Sequence, residues 1–134
     1  MTEPVGAPFT NFIGAVAEEK AEGYARLAIQ TGPEHADAMG RVHGGVITSV
    51  MDSVIGISLG RLRARDLQAR GPHATIEMTT SFYAYATPSD EIIAEGQVNH
   101  LGESIAFGEV EARVRGGDLL AKARLTFAIP GRRP

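Results

Sequence analysis

The chain has 134 residues, 43% of them hydrophobic and 22% charged, which describes one globular domain (1–134) and excludes disordered and collagen-like chains. A formal net charge of -3 leaves no basic excess for nucleic acid, and the absence of cysteine excludes disulfide scaffolds, thiolate metal sites and a cysteine nucleophile. The missing thiols fit a reducing cytoplasm, which is the expected location, and the start MTEPVGAPFT has no basic segment leading into an apolar run, so no secretion signal is expected.

Phe9, Phe12, Ile13 and Val16 recur at helical spacing. They predict a helix from Phe9 to Ala17 with Thr10 as N-cap, within an N-terminal helical segment covering 1–22. Tyr24 to Ile29 alternates after Gly23 and reads as the first strand. Gln30 to Val42 contains Gly32, Pro33, Asp37 and Gly40 and reads as a loop. Val46 to about Arg65 is the one long helix. It is apolar nearly all round, and such a helix must be enclosed on most sides. Thr48, Ser49, Asp52, Ser53, Ser58 and Arg61 interrupt it, which argues against a membrane span. Arg61, Arg63 and Arg65 crowd its last turns, where cations complement the helix dipole, and they read as a solvated basic end.

Four strand-like runs follow. Ala74 to Thr87 sets Ile76, Met78, Thr80, Phe82 and Ala84 on one side; the others are Glu91 to Asn99, Ser104 to Arg115, and Leu119 to Ile129 after the Gly116-Gly117-Asp118 turn. Residues 130–134 read as a flexible tail. One enclosed helix with four or five antiparallel strands is α+β, most economically a curved sheet wrapped round the helix. Gly56, Gly60, Gly96 and Gly108 are expected to permit close helix–sheet approach.

The chemistry concentrates in His35-Ala36-Asp37-Ala38-Met39-Gly40-Arg41-Val42-His43-Gly44-Gly45 and in Asp52. A carboxylate among Val50, Met51, Val54 and Ile55 is costly unless paired or functional. The glycines after His43 permit positive φ and let a ligand approach the unpaired N–H groups of a helix start, a site for a developing oxyanion. A carboxylate with an oxyanion donor suggests acyl transfer or hydrolysis. Gly44 and Asp52 are eight residues apart, about 12 Å along a helix. A nucleophile and its oxyanion donor must each lie about 3 Å from one reacting atom. One helix cannot supply both. The spacing therefore predicts a homodimer in which antiparallel helices bring each Asp52 beside the other chain's Gly44. His35, Asp37 and His43 match no common metal-ligand spacing, so no metal is expected. No G-x-S-x-G elbow occurs. His73 and His100 are expected to be exposed at loop edges, and Tyr83 and Tyr85 to serve in packing or at the dimer interface.

The run His35-x-Asp37-x-x-Gly40-x-x-His43-Gly44-Gly45, then six residues and Asp52, resembles the hotdog-fold acyl-CoA thioesterases of the phenylacetic-acid-degradation type. The resemblance covers about Tyr24 to Ile129. It implies that Asp52 acts as nucleophile or as general base for water, that the neighbouring subunit's Gly44 N–H polarises the thioester carbonyl, that His43 shapes the loop, and that the Thr75 hydroxyl orients the water. It also implies dimers or dimers of dimers and no cofactor. Two positions depart from the family pattern. Asp37 stands where the family carries Asn or Gln: it is protonated by its surroundings, serves another role such as the base, weakens or abolishes the activity, or is a purely structural loop acid. Glu103 stands where relatives carry Lys or Arg near the coenzyme phosphates, which leaves Gly45, Arg61, Arg63, Arg113 and Arg132 as candidates for substrate or CoA contact. The expected activity is hydrolysis of a small to medium aliphatic or aryl acyl-CoA. The alternatives are a hotdog enoyl-thioester hydratase or dehydratase and a non-catalytic acyl-CoA-binding module.

Overall fold

The computed structural model describes residues 2–131, and two strands precede the one expected first. Glu3–Pro4 form β1, Pro8–Phe12 form the short helix α1, and Ala15–Ala21 form β2, which pairs antiparallel with β3, Tyr24–Gln30. The helix predicted over Phe9 to Ala17 therefore stops at Phe12. Gly14, at φ 93, takes a left-handed turn that no right-handed helix continues, and the chain leaves it as a strand. Ala7 is the N-cap; Thr10 lies buried within α1 with its hydroxyl on the Ala7 carbonyl. The segment 1–22 is mixed rather than helical. Arg132 and the rest of the tail from 132 lie outside the described residues.

Helix α2 spans Gly44–Leu62 and buries Ile47, Val50, Met51, Val54, Ile55, Ser58 and Leu59. These positions recur at three- and four-residue intervals, so a helix that reads as apolar all round has a definite core stripe. Thr48, Ser49, Asp52, Ser53 and Gly56 lie on the other side, half exposed. The serine and threonine hydroxyls there return to helix carbonyls: Thr48 and Ser49 to Gly45 at 3.1 and 2.7 Å, Ser53 to Ser49 at 2.9 Å. By length and hydropathy α2 is apolar enough to cross a bilayer, but its apolar stripe is covered by the sheet. The short helix α3, Leu67–Arg70, follows it.

The sheet is antiparallel and seven-stranded, in the order β1-β2-β3-β5-β6-β7-β4, with β4 Ala74–Phe82, β5 Glu91–Leu101, β6 Ile105–Val114 and β7 Leu119–Ala128. Strands β2 to β7 all reach α2, so the sheet wraps the helix as expected. This is the α+β hotdog architecture. In β6, Ala106, Gly108, Val110 and Ala112 point inward, as the alternation predicts. Gly108 does bring the helix close, since a Cβ there would sit 2.7 Å from Ile55 Cγ2. Gly96 serves strand–strand contact instead, with a Cβ 2.3 Å from the Glu109 carbonyl. Gly56 and Gly60 mediate no tight helix–sheet approach: nothing lies within 4 Å of a Cβ at the first, and only His73, at 3.8 Å, at the second.

Among the described residues, strand β4 pairs only with β7 and leaves its other edge open. A bulge interrupts it: Thr75 pairs with Phe127 and Glu77 with Thr126, so Ile76 is the extra residue. Strict alternation would set Thr75 opposite Met78. The bulge resets the phase, so Thr75 before it reaches α2 and Met78 after it packs on the core. Ile76 is 59% exposed and Phe82 50%, so part of the apolar face expected for this strand is not buried within one chain.

Candidate active site

His43 is the N-cap of α2, with φ -61 and ψ 132, and its Nδ1 accepts the Gly45 N–H at 2.7 Å. That acceptance puts the ring proton on Nε2. A Cβ at position 45 would lie 2.9 Å from His43 Nδ1, so a larger residue there would have to displace the capping ring. Neither Gly44 nor Gly45 has a positive φ, contrary to expectation; in this loop that conformation belongs to Gly40, at φ 80. The Val46 N–H bonds the His43 carbonyl at 3.0 Å, whereas the Gly44 N–H has no partner among the described residues. The helix start thus presents a free donor at Gly44, while the Gly45 N–H is already engaged.

Asp52 lies two turns along α2 on its open side, where Thr75 Oγ1 donates to Asp52 Oδ1 at 2.7 Å. The structure brings this expected pair together. It does not bring Asp52 to Gly44 of the same chain, since the two share one continuous helix.

Asp37 is an ionised turn residue. Its Oδ1 accepts the Met39 and Arg41 N–H groups at 2.8 and 3.0 Å, and Arg41 Nε lies 3.5 Å from Oδ2. The Arg41 backbone N–H, then the Met39 N–H and the Arg41 charge, hold its pKa below the ordinary 3.8, against the opposing effect of burial. Surroundings that protonate Asp37 are therefore not what the structure contains. Asp37 and Arg41, with Val42, Gly44, Ile47, Phe82, Ala84 and Tyr85, line a cleft of about 230 Å³ at the start of α2. The Arg41 guanidinium lies 5.4 Å from the centre of the Tyr85 ring.

The remaining expectations divide. His35 is buried, with Nδ1 accepting the Gly32 N–H at 3.0 Å and Nε2 2.7 Å from the Ile13 carbonyl, so it fastens the N-terminal segment to the loop. No group of three His, Asp or Glu able to hold a metal occurs among the described residues. Arg61 is exposed, nine residues and so half a turn of phase from Asp52. Arg113 is half-buried on β6 with Glu111 Oε1 at 3.4 Å. Neither arginine adjoins Asp52 in the chain.

Two residues read as solvated are not. Arg63 is 2% exposed; it donates to Asp66 Oδ2 from Nε at 3.1 Å and Nη2 at 2.8 Å, to the Gly71 carbonyl at 3.1 Å, and to His73 Nδ1 at 2.8 Å. His73 Nε2 is 3.1 Å from the Gly56 carbonyl, and its ring meets Phe127 edge-on at 5.4 Å. Burial lowers its pKa below 6.5, the Gly56 carbonyl opposes this, and the Arg63 charge adds to the lowering. Arg63 lies eleven residues from Asp52, within about 20° of the same helix face. That phase was the available sequence signal for the clasp, obscured by the neighbouring Arg61 and Arg65. His100 is exposed as expected, though it lies within β5, and Tyr83 and Tyr85 are 60% and 64% exposed.

Residues 39–121 match the sequence model of the thioesterase superfamily. A candidate esterase of Schizosaccharomyces pombe is 30% identical over 105 residues; the match takes in 78% of this chain, which spans 62% of that relative's length. A candidate esterase of Pseudomonas aeruginosa is 25% identical over 126 residues, 92% of this chain and 90% of its own. Among solved structures, a mutant of the phenylacetic acid degradation protein PaaI from Thermus thermophilus superposes with TM-score 0.81 at 22% identity, over 91% of this chain and 98% of that one. A hypothetical thioesterase protein from Streptococcus pneumoniae, solved with coenzyme A, gives TM-score 0.78 at 17% identity, over 90% of this chain and 89% of that one. At these identities the two structures speak for the fold.

Proposed function

The chain belongs to the thioesterase superfamily, and from that premise we propose that it is a thioester hydrolase, which hydrolyses small to medium aliphatic or aryl acyl-CoA to the free acid and CoASH in a site shared by two chains. The observation that carries this reading is the separation of its parts. The Asp52–Thr75 pair lies open on one side of α2, and the free Gly44 N–H lies about 12 Å away at its start. A second helix running antiparallel supplies the missing half to each site. The open β4 edge, with Ile76, Phe82, Tyr83 and Tyr85 exposed beside it, supports that face as the one the partner covers.

In this reading the thioester carbonyl oxygen accepts the Gly44 N–H of one chain, and Asp52 of the other acts from the opposite side. Asp52 either attacks the carbonyl carbon or takes a proton from the attacking water. The Thr75 proton is committed to Asp52, which leaves its oxygen to accept from water. Negative charge develops on the carbonyl oxygen at the Gly44 donor and the C–S bond breaks. With Asp52 as base, the departing thiolate takes the proton drawn from water. With Asp52 as nucleophile, water hydrolyses the acyl–Asp52 anhydride, releasing the acid, the free Asp52 carboxylate and the proton that the thiolate takes. His43 holds the donor loop in shape through Gly45. The cleft lined by Val42, Ile47, Phe82, Ala84 and Tyr85 suits a compact acyl or aryl group. The coenzyme A bound to the Streptococcus relative supports the CoA class of substrate. The proposed location is the cytoplasm.

A panel of aliphatic, aryl and enoyl-CoA substrates with free-thiol detection tests the reading, with sedimentation to count chains. Thiol release that falls by orders of magnitude in Asp52→Asn, with assembly unchanged, is the expected result. Wild-type turnover in that variant, or loss of enoyl absorbance without thiol release, overturns it.

A further inference from the structure

We infer that the Arg63–His73 pair positions the site, holding the strand segment before the β4 bulge so that Thr75 meets Asp52. The inference rests on the proposed role of Asp52 and Thr75 in hydrolysis.

Strand β4 starts at Ala74, and side chains of two residues at this start, one of them just before the strand, hydrogen-bond to α2. Thr75 bonds Asp52 at 2.7 Å, and His73, two residues earlier, meets the Gly56 carbonyl at 3.1 Å. The spacings agree: one helical turn from Asp52 to Gly56 advances about 6 Å, and two strand residues advance about 6.6 Å. His73 and Thr75 are thus successive rungs between the strand and the helix. The bulge lies directly after the second rung, at Ile76, so the β7 pairing that registers the rest of β4 is interrupted there. Ala74 and Thr75 pair with Ala128 and Phe127 in a register one residue out from the rest of β4, and the His73 side chain ties this short segment to α2.

The ring is locked at both nitrogens. Arg63 can only donate, so Nδ1 accepts from it and the proton resides on Nε2, which donates to the Gly56 carbonyl. Arg63 is itself fixed by Asp66 and the Gly71 carbonyl, and Arg70 Nη1 lies 3.7 Å from the same Asp66 oxygen. Phe127 from β7 closes one side of the ring, and Gly60 faces it, with His73 Cε1 at ordinary contact distance, 3.8 Å, from where a Cβ would be. A buried arginine whose donors converge on one histidine and one turn does more than end a helix. It sets where the next strand begins, and hence where Thr75 points.

The test is a set of steady-state measurements on the full chain with an acyl-CoA that it turns over. Asp52→Asn and Thr75→Val come first and should lower kcat. His73→Ala should then lower kcat about 10- to 100-fold, the order expected when a reacting group is displaced by about 1 Å, with KM little changed. Added to Thr75→Val it should cost less than about twofold, because residues acting through one group are non-additive. His73→Gln, whose amide can accept from Arg63 and donate to Gly56, should recover most of the loss. A crystal structure of His73→Ala should show Thr75 out of hydrogen-bond reach of Asp52. Full multiplication of the His73→Ala and Thr75→Val losses, or an intact Thr75–Asp52 bond in that crystal, overturns the inference. If Asp52→Asn turns over normally, the hydrolytic reading fails, and the crystal distance still decides whether His73 places Thr75.

Discussion

A site shared between chains has a consequence that one mixing experiment measures. Gly44 is the first residue of α2, where proline is well tolerated, and His43 already has the extended backbone that precedes a proline. Gly44→Pro removes the free N–H with little cost to the fold. A Cβ there would lie 3.3 Å from Phe82 Cζ, so the half-exposed phenyl ring must give by a few tenths of an ångström. Loss of one oxyanion donor costs about 100- to 1,000-fold in kcat, and Asp52→Asn should be no milder. Co-expression of the two variants under different affinity tags, with purification through both, isolates the mixed dimer. If each site joins Asp52 of one chain to Gly44 of the other, one site of the mixed dimer carries both lesions and the other carries none. Its thiol release should reach about half the wild-type value, against about 1% or less for either parent. A mixed dimer no more active than its parents would refute the shared site, because a site drawn from one chain carries a lesion in either position.

Three further outcomes follow from the geometry. Asp37→Asn keeps the Oδ1 that accepts from Met39 and Arg41 and removes a negative charge beside the Gly44 cleft; kcat/KM should rise, and a fall of tenfold or more would make the carboxylate a working part of the site. His73 is held below its ordinary 6.5, so the unfolded chain binds its proton first. Its contribution to stability is complete above pH 6.5 and is lost as pH falls through that value toward the folded one; urea midpoints on either side of pH 6.5 should fall accordingly, and less so in His73→Gln. Gly96→Ala places a Cβ 2.3 Å from the backbone carbonyl of Glu109, which cannot move without opening β5–β6; unfolding should be easier by about 1–3 kcal/mol or more, read by thermal melting, whereas Gly56→Ala, with open space, should be neutral or stabilising.

The long helix, the loop before it and the last four strands were legible because their signals are local: periodicity, turn glycines, and the interval from His43 to Asp52. The first two strands were not. A sparse apolar pattern over Phe9 to Ala17 matches a helix as well as a strand, and only Gly14 at positive φ and the pairing with β3 separate the two. Thr75 was identified by resemblance, yet alternation along Ala74 to Thr87 sets it on the face away from Met78. What turns it to Asp52 is a bulge at Ile76, which depends on β7 and leaves no mark in the local pattern. Arg63 was misread for a related reason: three alternating arginines look equivalent, but only one lies over the gap between α2 and β4. Asp37 is legible as a loop residue, but which of its readings holds depends on backbone donors at 39 and 41 that no sequence pattern displays.

The unbroken helix between Gly44 and Asp52 also bears on how such a chain can change over generations. Substitutions at the half-exposed positions 48, 49 and 53 alter side chains whose hydroxyls only return to their own helix. A single inserted or deleted residue in the same stretch would swing the carboxylate by about 100° and slide it by about 1.5 Å, off Thr75 and out of register with the donor end. The length of this interval should therefore stay fixed in lineages that keep the activity, even where its residues change.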